Sequence, residues 1–155
     1  MNSRMENHDK SPRKEMVPST VLVQPGLFDY PPPKGLAPAL LGNCCSHCGK
    51  NFFPKRAICP ECFISGVMED VELERQGVIY ASTVVRVSSP TGIKAPYAYG
   101  YVDLPASQLR VFALFTGAEP GSFVPGQKVE LVLEPLGADT EGKTLIGYKF
   151  RPVSG

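Results

Sequence analysis

Cys44-Cys45-Ser46-His47-Cys48-Gly49 and, after a short linker, Ile58-Cys59-Pro60-Glu61-Cys62-Phe63 together hold all five cysteines of the chain. Cys45 and Cys48 form one C-x-x-C knuckle and Cys59 and Cys62 form a second, ten residues further on. A two-residue gap lets both thiolates of a knuckle converge on one ion at about 2.3 Å, and two knuckles complete a tetrahedral four-sulfur site. Gly49 suits the turn behind the first knuckle, where a positive φ is often required. Phe63 stands at the matching place in the second and departs from that pattern. The linker Asn51–Ile58 is long enough to reverse the chain. The expected cofactor is one structural zinc held by Cys45, Cys48, Cys59 and Cys62. Iron in the same geometry, or a disulfide pair in an oxidised preparation, is the alternative, and a catalytic zinc is disfavoured because four sulfurs leave no open position. Cys44 is the spare thiol. A Cys44-x-x-x-Cys48 register is conceivable, but the two-residue gap matches the second knuckle. His47 reads as a solvated knuckle residue and not as a ligand or base.

Outward from the cysteines, the chain divides into three parts. Residues 1–35 are proline-rich and expected to form an extended arm, carrying apolar groups that either fold back on their own domain or lie over a partner. Leu27, Phe28 and Tyr30 are the candidate partner anchors. A short helical turn is expected over 35–42, and residues 36–70 make the ribbon. From 71 to 155 the pattern changes to a period of two. Strands are expected at 77–87, 97–104, 109–115, 128–134 and 144–150, separated by turn-forming segments. Five short strands without an amphipathic helix point to a small closed barrel of the OB type. The fold class is therefore mainly β, a rubredoxin-like zinc ribbon followed by a five-stranded OB-fold barrel.

Bulk properties narrow the function. The chain has 155 residues, 43% hydrophobic and 20% charged, which places it with globular and not disordered proteins. A net charge of +1 argues against a dedicated nucleic-acid binder. The first residues show no apolar signal region and no stretch is long enough to span a membrane, so a cytoplasmic location is expected. In that reducing compartment, clustered cysteines are more often metal ligands than disulfides. No Cys–His or Ser–His–Asp set assembles from the sequence, because the only histidines are His8 and His47. Glu130 and Glu134 look like the solvated side of a strand. In YAYGYVD, Tyr97, Tyr99 and Tyr101 share one face, either covering a neighbouring part of the chain or forming a docking surface. Lys55, Arg56, Arg86 and Lys94 are the cations placed to meet phosphates.

The runs LGNCCSHCGKNFFPKRAICPEC, QGVIYASTVVRV, PYAYGYVDL and VPGQKVELVLE, with a terminal YKFRPV, resemble the zinc-ribbon plus OB-fold proteins associated with acyl-CoA metabolism. The resemblance covers about residues 36–153. Cys44 stands where that family often has a basic residue, and the proline-rich arm replaces helices that usually precede the ribbon. The resemblance implies a non-catalytic companion of a thiolase-like catalytic subunit, one that makes or breaks a carbon–carbon bond of a CoA thioester. The substrate it suggests is benzoylsuccinyl-CoA of anaerobic toluene degradation. Arg86 and Lys94 would then lie near CoA phosphates. The alternatives are a nucleic-acid-binding ribbon/OB module, using the tyrosines for stacking, and a rubredoxin-like electron carrier.

Overall fold

A computed structural model describes residues 20–22, 26–32, 37–90, 92–138 and 140–154. Nine strands are present among them. β1 (Thr20–Leu22) lies in the arm; β2 (Leu41–Cys45), β3 (Asn51–Phe52) and β4 (Met68–Glu72) form the ribbon. β5 (Gln76–Val85), β6 (Tyr97–Leu104), β7 (Leu109–Phe115), β8 (Lys128–Ala138) and β9 (Thr144–Pro152) follow. No helix of the described residues is long and apolar enough to cross a membrane.

The last five strands run in the order β5-β6-β7-β9-β8, and β8 pairs back onto β5, so the sheet closes and leaves no long edge. All contacts are antiparallel except β7 with β9, through Leu114↔Lys149 and Phe115↔Phe150. That parallel pair, beside β8, is the crossing that makes five strands an OB-type barrel. Alternation explains the filling. Ala98, Val102 and Leu104 on β6 point inward with Val111, Ala113 and Phe115 on β7, Val129 and Leu131 on β8, and Ile146 and Phe150 on β9. Gly100 lies on this same inward face, where a Cβ would overlap the carbonyl oxygen of Ala81 across the pair. β5 shifts register between Ile79 and Ala81, and Tyr80, next to the buried Ile79, faces outside.

The three-stranded ribbon, ordered β3-β2-β4, is fastened to the barrel. Leu40 and Leu73, at its ends, belong to the same buried cluster as the barrel interior. Glu74 accepts the backbone N–H groups of Ala106 (2.8 Å) and Ser107 (2.7 Å) in the β6–β7 turn. Asn51 donates to the Ser107 carbonyl at 3.0 Å. Tyr148 of β9 sits edge-on to Phe53 of the ribbon loop (5.9 Å) and to Phe28 of the arm (6.4 Å). Its hydroxyl donates to the Phe112 carbonyl at 2.6 Å, and burial pushes its pKa up to about 12.

Two expectations require correction. The helical turn over 35–42 is absent from the described residues 37–42: Leu40 bridges to Phe28, the Leu41 N–H donates to the Leu27 carbonyl, and β2 begins at Leu41. Extended pairing takes the backbone groups that a turn would have used, and Pro38 has none to donate. Phe28 is not an exposed anchor. It is 3% exposed and packs in the chain's own core, with Leu27 half-buried against it. Tyr30 alone of the three remains open, at 41%. Residues 1–19, 23–25 and 33–36 of the proposed arm and its junction lie outside the described residues.

Phe28→Ala should therefore destabilise the isolated chain by about 3 kcal/mol through the cavity it leaves, whereas Tyr30→Ala should change stability by less than about 0.5 kcal/mol. Thermal or urea unfolding of the two variants checks the difference. Equal, small effects would mean that Phe28 does not support this core.

Candidate metal centre

Each knuckle is a tight turn closed by its own backbone. The Gly49 N–H donates to the Cys45 carbonyl and the Phe63 N–H to the Cys59 carbonyl, both at 2.7 Å. Inside the turns, the Cys48 N–H points at Cys45 Sγ, and the N–H groups of Glu61 and Cys62 point at Cys59 Sγ, all at 3.4 Å. Gly49 has φ +79° and Phe63 φ +57°, so both chains leave the knuckle through the left-handed region. Asn43, buried in β2, holds the intervening loop. Its amide donates to the Arg56 carbonyl (2.8 Å) and accepts the Arg56 N–H (3.2 Å).

These turns bring Cys45, Cys48, Cys59 and Cys62 together, every Sγ within 4.8 Å of the others. Across the knuckles, Cys45 Sγ and Cys62 Sγ are 4.0 Å apart and Cys48 Sγ and Cys59 Sγ 3.7 Å. An ion 2.3 Å from four tetrahedral sulfurs requires sulfur–sulfur separations of about 3.8 Å, so this cage fits one zinc. The backbone N–H groups aimed at the sulfurs favour thiolates, and a four-sulfur sphere has no place for a reactive water. Cys44 lies outside the cluster, half-buried, its Sγ 3.8 Å from the Cys45 carbonyl.

Without a cation the four sulfurs cannot all ionise. The Cys48 N–H draws the Cys45 thiol down to about 7, while desolvation, followed by the neighbouring sulfurs, pushes Cys62 up to about 12. Zinc binding must therefore expel protons, and protons compete with it as the pH falls. His47 has a place that sequence reasoning missed. Although exposed, it brings Nδ1 to 3.2 Å from Cys62 Sγ. The signal was there in part: a histidine between the two cysteines of one knuckle is within reach of the other knuckle's sulfurs.

The remaining predicted residues fall elsewhere. Arg86 and Lys94 are exposed on the connection between β5 and β6, and Lys55 pairs with Asp70 at 3.2 Å. Tyr97, Tyr99 and Tyr101 are on the outer side of β6. Tyr99 and Tyr101 meet Phe112 of β7, with ring centres 5.1 and 5.8 Å apart. Beside them Arg110 lies 3.3 Å over the Tyr80 ring and forms an ion pair with Asp103 at 2.6 Å. Phe112 and Arg110 are legible from the alternation of LRVFALF, and the outward Tyr80 follows the alternation that buries Gly77 and Ile79. Glu130 pairs with Arg151 at 2.9 Å, and Glu134 with Lys149 (3.4 Å) and the Thr116 hydroxyl (3.0 Å).

Native mass spectrometry should find one zinc per chain. Serine at Cys45, Cys48, Cys59 or Cys62 should lose it and unfold the ribbon, because on the order of 10 kcal/mol of binding is coupled to folding at such sites. Cys44→Ser should retain it; loss with Cys44→Ser and retention with Cys45→Ser would reverse the register. His47→Ala should weaken zinc roughly tenfold or more, as expected for a group supporting a ligand, and unchanged affinity would make the His47–Cys62 contact incidental.

Comparison with known proteins places these features together. Residues 34–69 match the family model described as the ChsH2 rubredoxin-like zinc ribbon domain, and residues 70–134 the ChsH2 C-terminal OB-fold domain. The benzoylsuccinyl-CoA thiolase subunit BbsA of Thauera aromatica is 39% identical over 145 residues, 94% of this chain and 96% of that one. A DUF35 domain-containing scaffold protein of Methanocaldococcus jannaschii is 32% identical over 116 residues, covering 74% and 82% of the two chains. The solved Ltp2-ChsH2(DUF35) aldolase contains a chain that superposes with a TM-score of 0.59 at 26% identity, over 74% of this chain and 84% of its own. The ribbon, the barrel and the near full-length identity show that this chain belongs to the ChsH2-type (DUF35) family of zinc-ribbon plus OB-fold proteins.

Proposed function

We propose that the chain is the accessory subunit of a thiolase-type enzyme, working beside a catalytic subunit that forms or cleaves a carbon–carbon bond of a CoA thioester. The observation that carries this reading is the identity with a thiolase subunit, which runs through arm, ribbon and barrel over 94% of the chain. The closed four-sulfur cage supports it, since a zinc there staples the fold and does not present a Lewis acid to substrate. Nucleophile and base then belong to the partner. Benzoylsuccinyl-CoA, named in two relatives, is the acyl substrate proposed first. Reduced metal-binding thiols suit the cytoplasm.

In this reading the chain supports the catalytic subunit and helps to shape the acyl-CoA site. Tyr30 and the outer tyrosines of β6 would contribute to the contact. Arg86 and Lys94 project from one exposed connection and are the cations proposed to meet CoA phosphates. Nothing favours the nucleic-acid alternative to a similar degree, because Arg110, the cation among the outer aromatics, is already paired with Asp103.

The full-length tagged chain, purified from its native cells, should carry a thiolase-like subunit at fixed stoichiometry. The complex should act on benzoylsuccinyl-CoA and CoA, and the chain alone should not. Thiolysis by the chain alone, or purification without such a subunit, would refute the proposal. Within the complex, Lys94→Ala should raise the KM for CoA by up to about fivefold, the range of an exposed ion pair. An unchanged KM would remove Lys94 from the CoA site.

A further inference from the structure

The two knuckles are equivalent in backbone and unlike in side chain. Gly49 and Phe63 each follow the second cysteine, each donate the N–H at 2.7 Å to the first cysteine's carbonyl, and each have positive φ. Glycine adopts that conformation without cost, whereas an L-residue with a Cβ adopts it reluctantly and a bulky one rarely. Among the described residues the Phe63 side chain finds little packing to offset this, since it is 80% exposed. Ile58, 50% exposed, and Ile64, 39% exposed, flank it on the same loop, which the Ile58↔Ser65 bridge closes. The second knuckle thus presents three large apolar side chains on a turn fixed by two cysteines of the sulfur cage.

From this we infer that Phe63, supported by Ile58 and Ile64, is an anchor that inserts into an apolar recess of the catalytic subunit. The inference rests on the assembly proposed above and assigns it a contact point. Charge and area select this occupant. Between Leu41 and Glu72 three cations stand against four carboxylates, and Lys50 and Lys55 are paired with Glu61 and Asp70. The tip therefore lacks the basic rim with which anionic membranes or nucleic acids are bound. The three side chains expose on the order of 300 Å², well short of the roughly 800 Å² per partner in a stable interface. They form one anchor in a larger contact and are too small to hold two copies of this chain together. A rigid aromatic knob ringed by aliphatic groups is the kind of feature that dominates a protein interface.

The test uses Phe63→Gly and Phe63→Asn, because both residues tolerate positive φ while removing the ring. In the full-length chain, zinc content and melting temperature should be unchanged or raised. The Kd for the catalytic subunit identified by co-purification should rise on the order of 30-fold. Loss of zinc or a lower melting temperature in both variants would show that Phe63 serves its own fold. An unchanged Kd, with wild-type chain assembling normally, would overturn the anchor and leave the assembly standing. Failure of the wild-type chain to assemble would remove the assembly and the anchor with it. Wild-type binding to phosphatidylglycerol/phosphatidylcholine vesicles that is lost in Phe63→Gly would reassign the tip to a membrane and overturn the inference.

Discussion

Convergence of four sulfurs is the constraint on which the remaining structure depends. The ribbon has three short strands, of which β3 has only two residues, and such a segment cannot bury enough apolar surface to order itself. Its large buried aliphatic side chains, Leu40 and Leu73, lie where it meets the barrel. The loops that carry the cysteines have instead Asn43, the knuckle hydrogen bonds and the sulfur cage. Metal affinity and ribbon folding are then one equilibrium. The order of the ribbon matters beyond itself, because Asn51 and Phe53 stand in the hairpin between the knuckles and reach the β6–β7 turn and Tyr148.

The barrel supplies the complementary rigidity. Five strands closed through the parallel β7–β9 pair fill their interior with aliphatic groups, Phe150 and the stacked pair Phe115 and Phe123, 5.0 Å apart. Both faces of β6 then have defined work. Its inner face of small and aliphatic groups allows the strands to close tightly, and its outer face displays tyrosines that pack on Phe112. A scaffold of this type, metal-stapled at one end and closed at the other, can hold a partner's elements in place without chemistry of its own.

Much of this was legible in the sequence because the signals were local and periodic. The x2 spacing within both knuckles gave the cage, and alternation gave all five barrel strands, β6 and β7 with the expected bounds and the others displaced by one to four residues. The inward face of β6 followed from Ala98, Val102 and Leu104. The arm was less legible: proline indicates extended backbone but not where its apolar side chains go, and whether Phe28 enters its own core depends on Leu40 and Tyr148, 12 and 120 residues away. The 35–42 segment misled because Leu-Ala-Pro-Ala-Leu-Leu has good helix formers, and strand pairing with Phe28 overrode that preference. His47 and Phe63 were visible as residues but their meaning was not, since one depends on the distance to another knuckle and the other on a backbone angle.

A closed sulfur sphere is what separates a structural companion from a zinc enzyme, and zinc K-edge X-ray absorption of the full-length protein tests it most directly. The account predicts four sulfur scatterers at about 2.3 Å and no lighter atom in the first sphere. A nitrogen or oxygen scatterer at about 2.0–2.1 Å in place of one sulfur would contradict the four-sulfur sphere, and an oxygen from bound water would give the ion an exchangeable position.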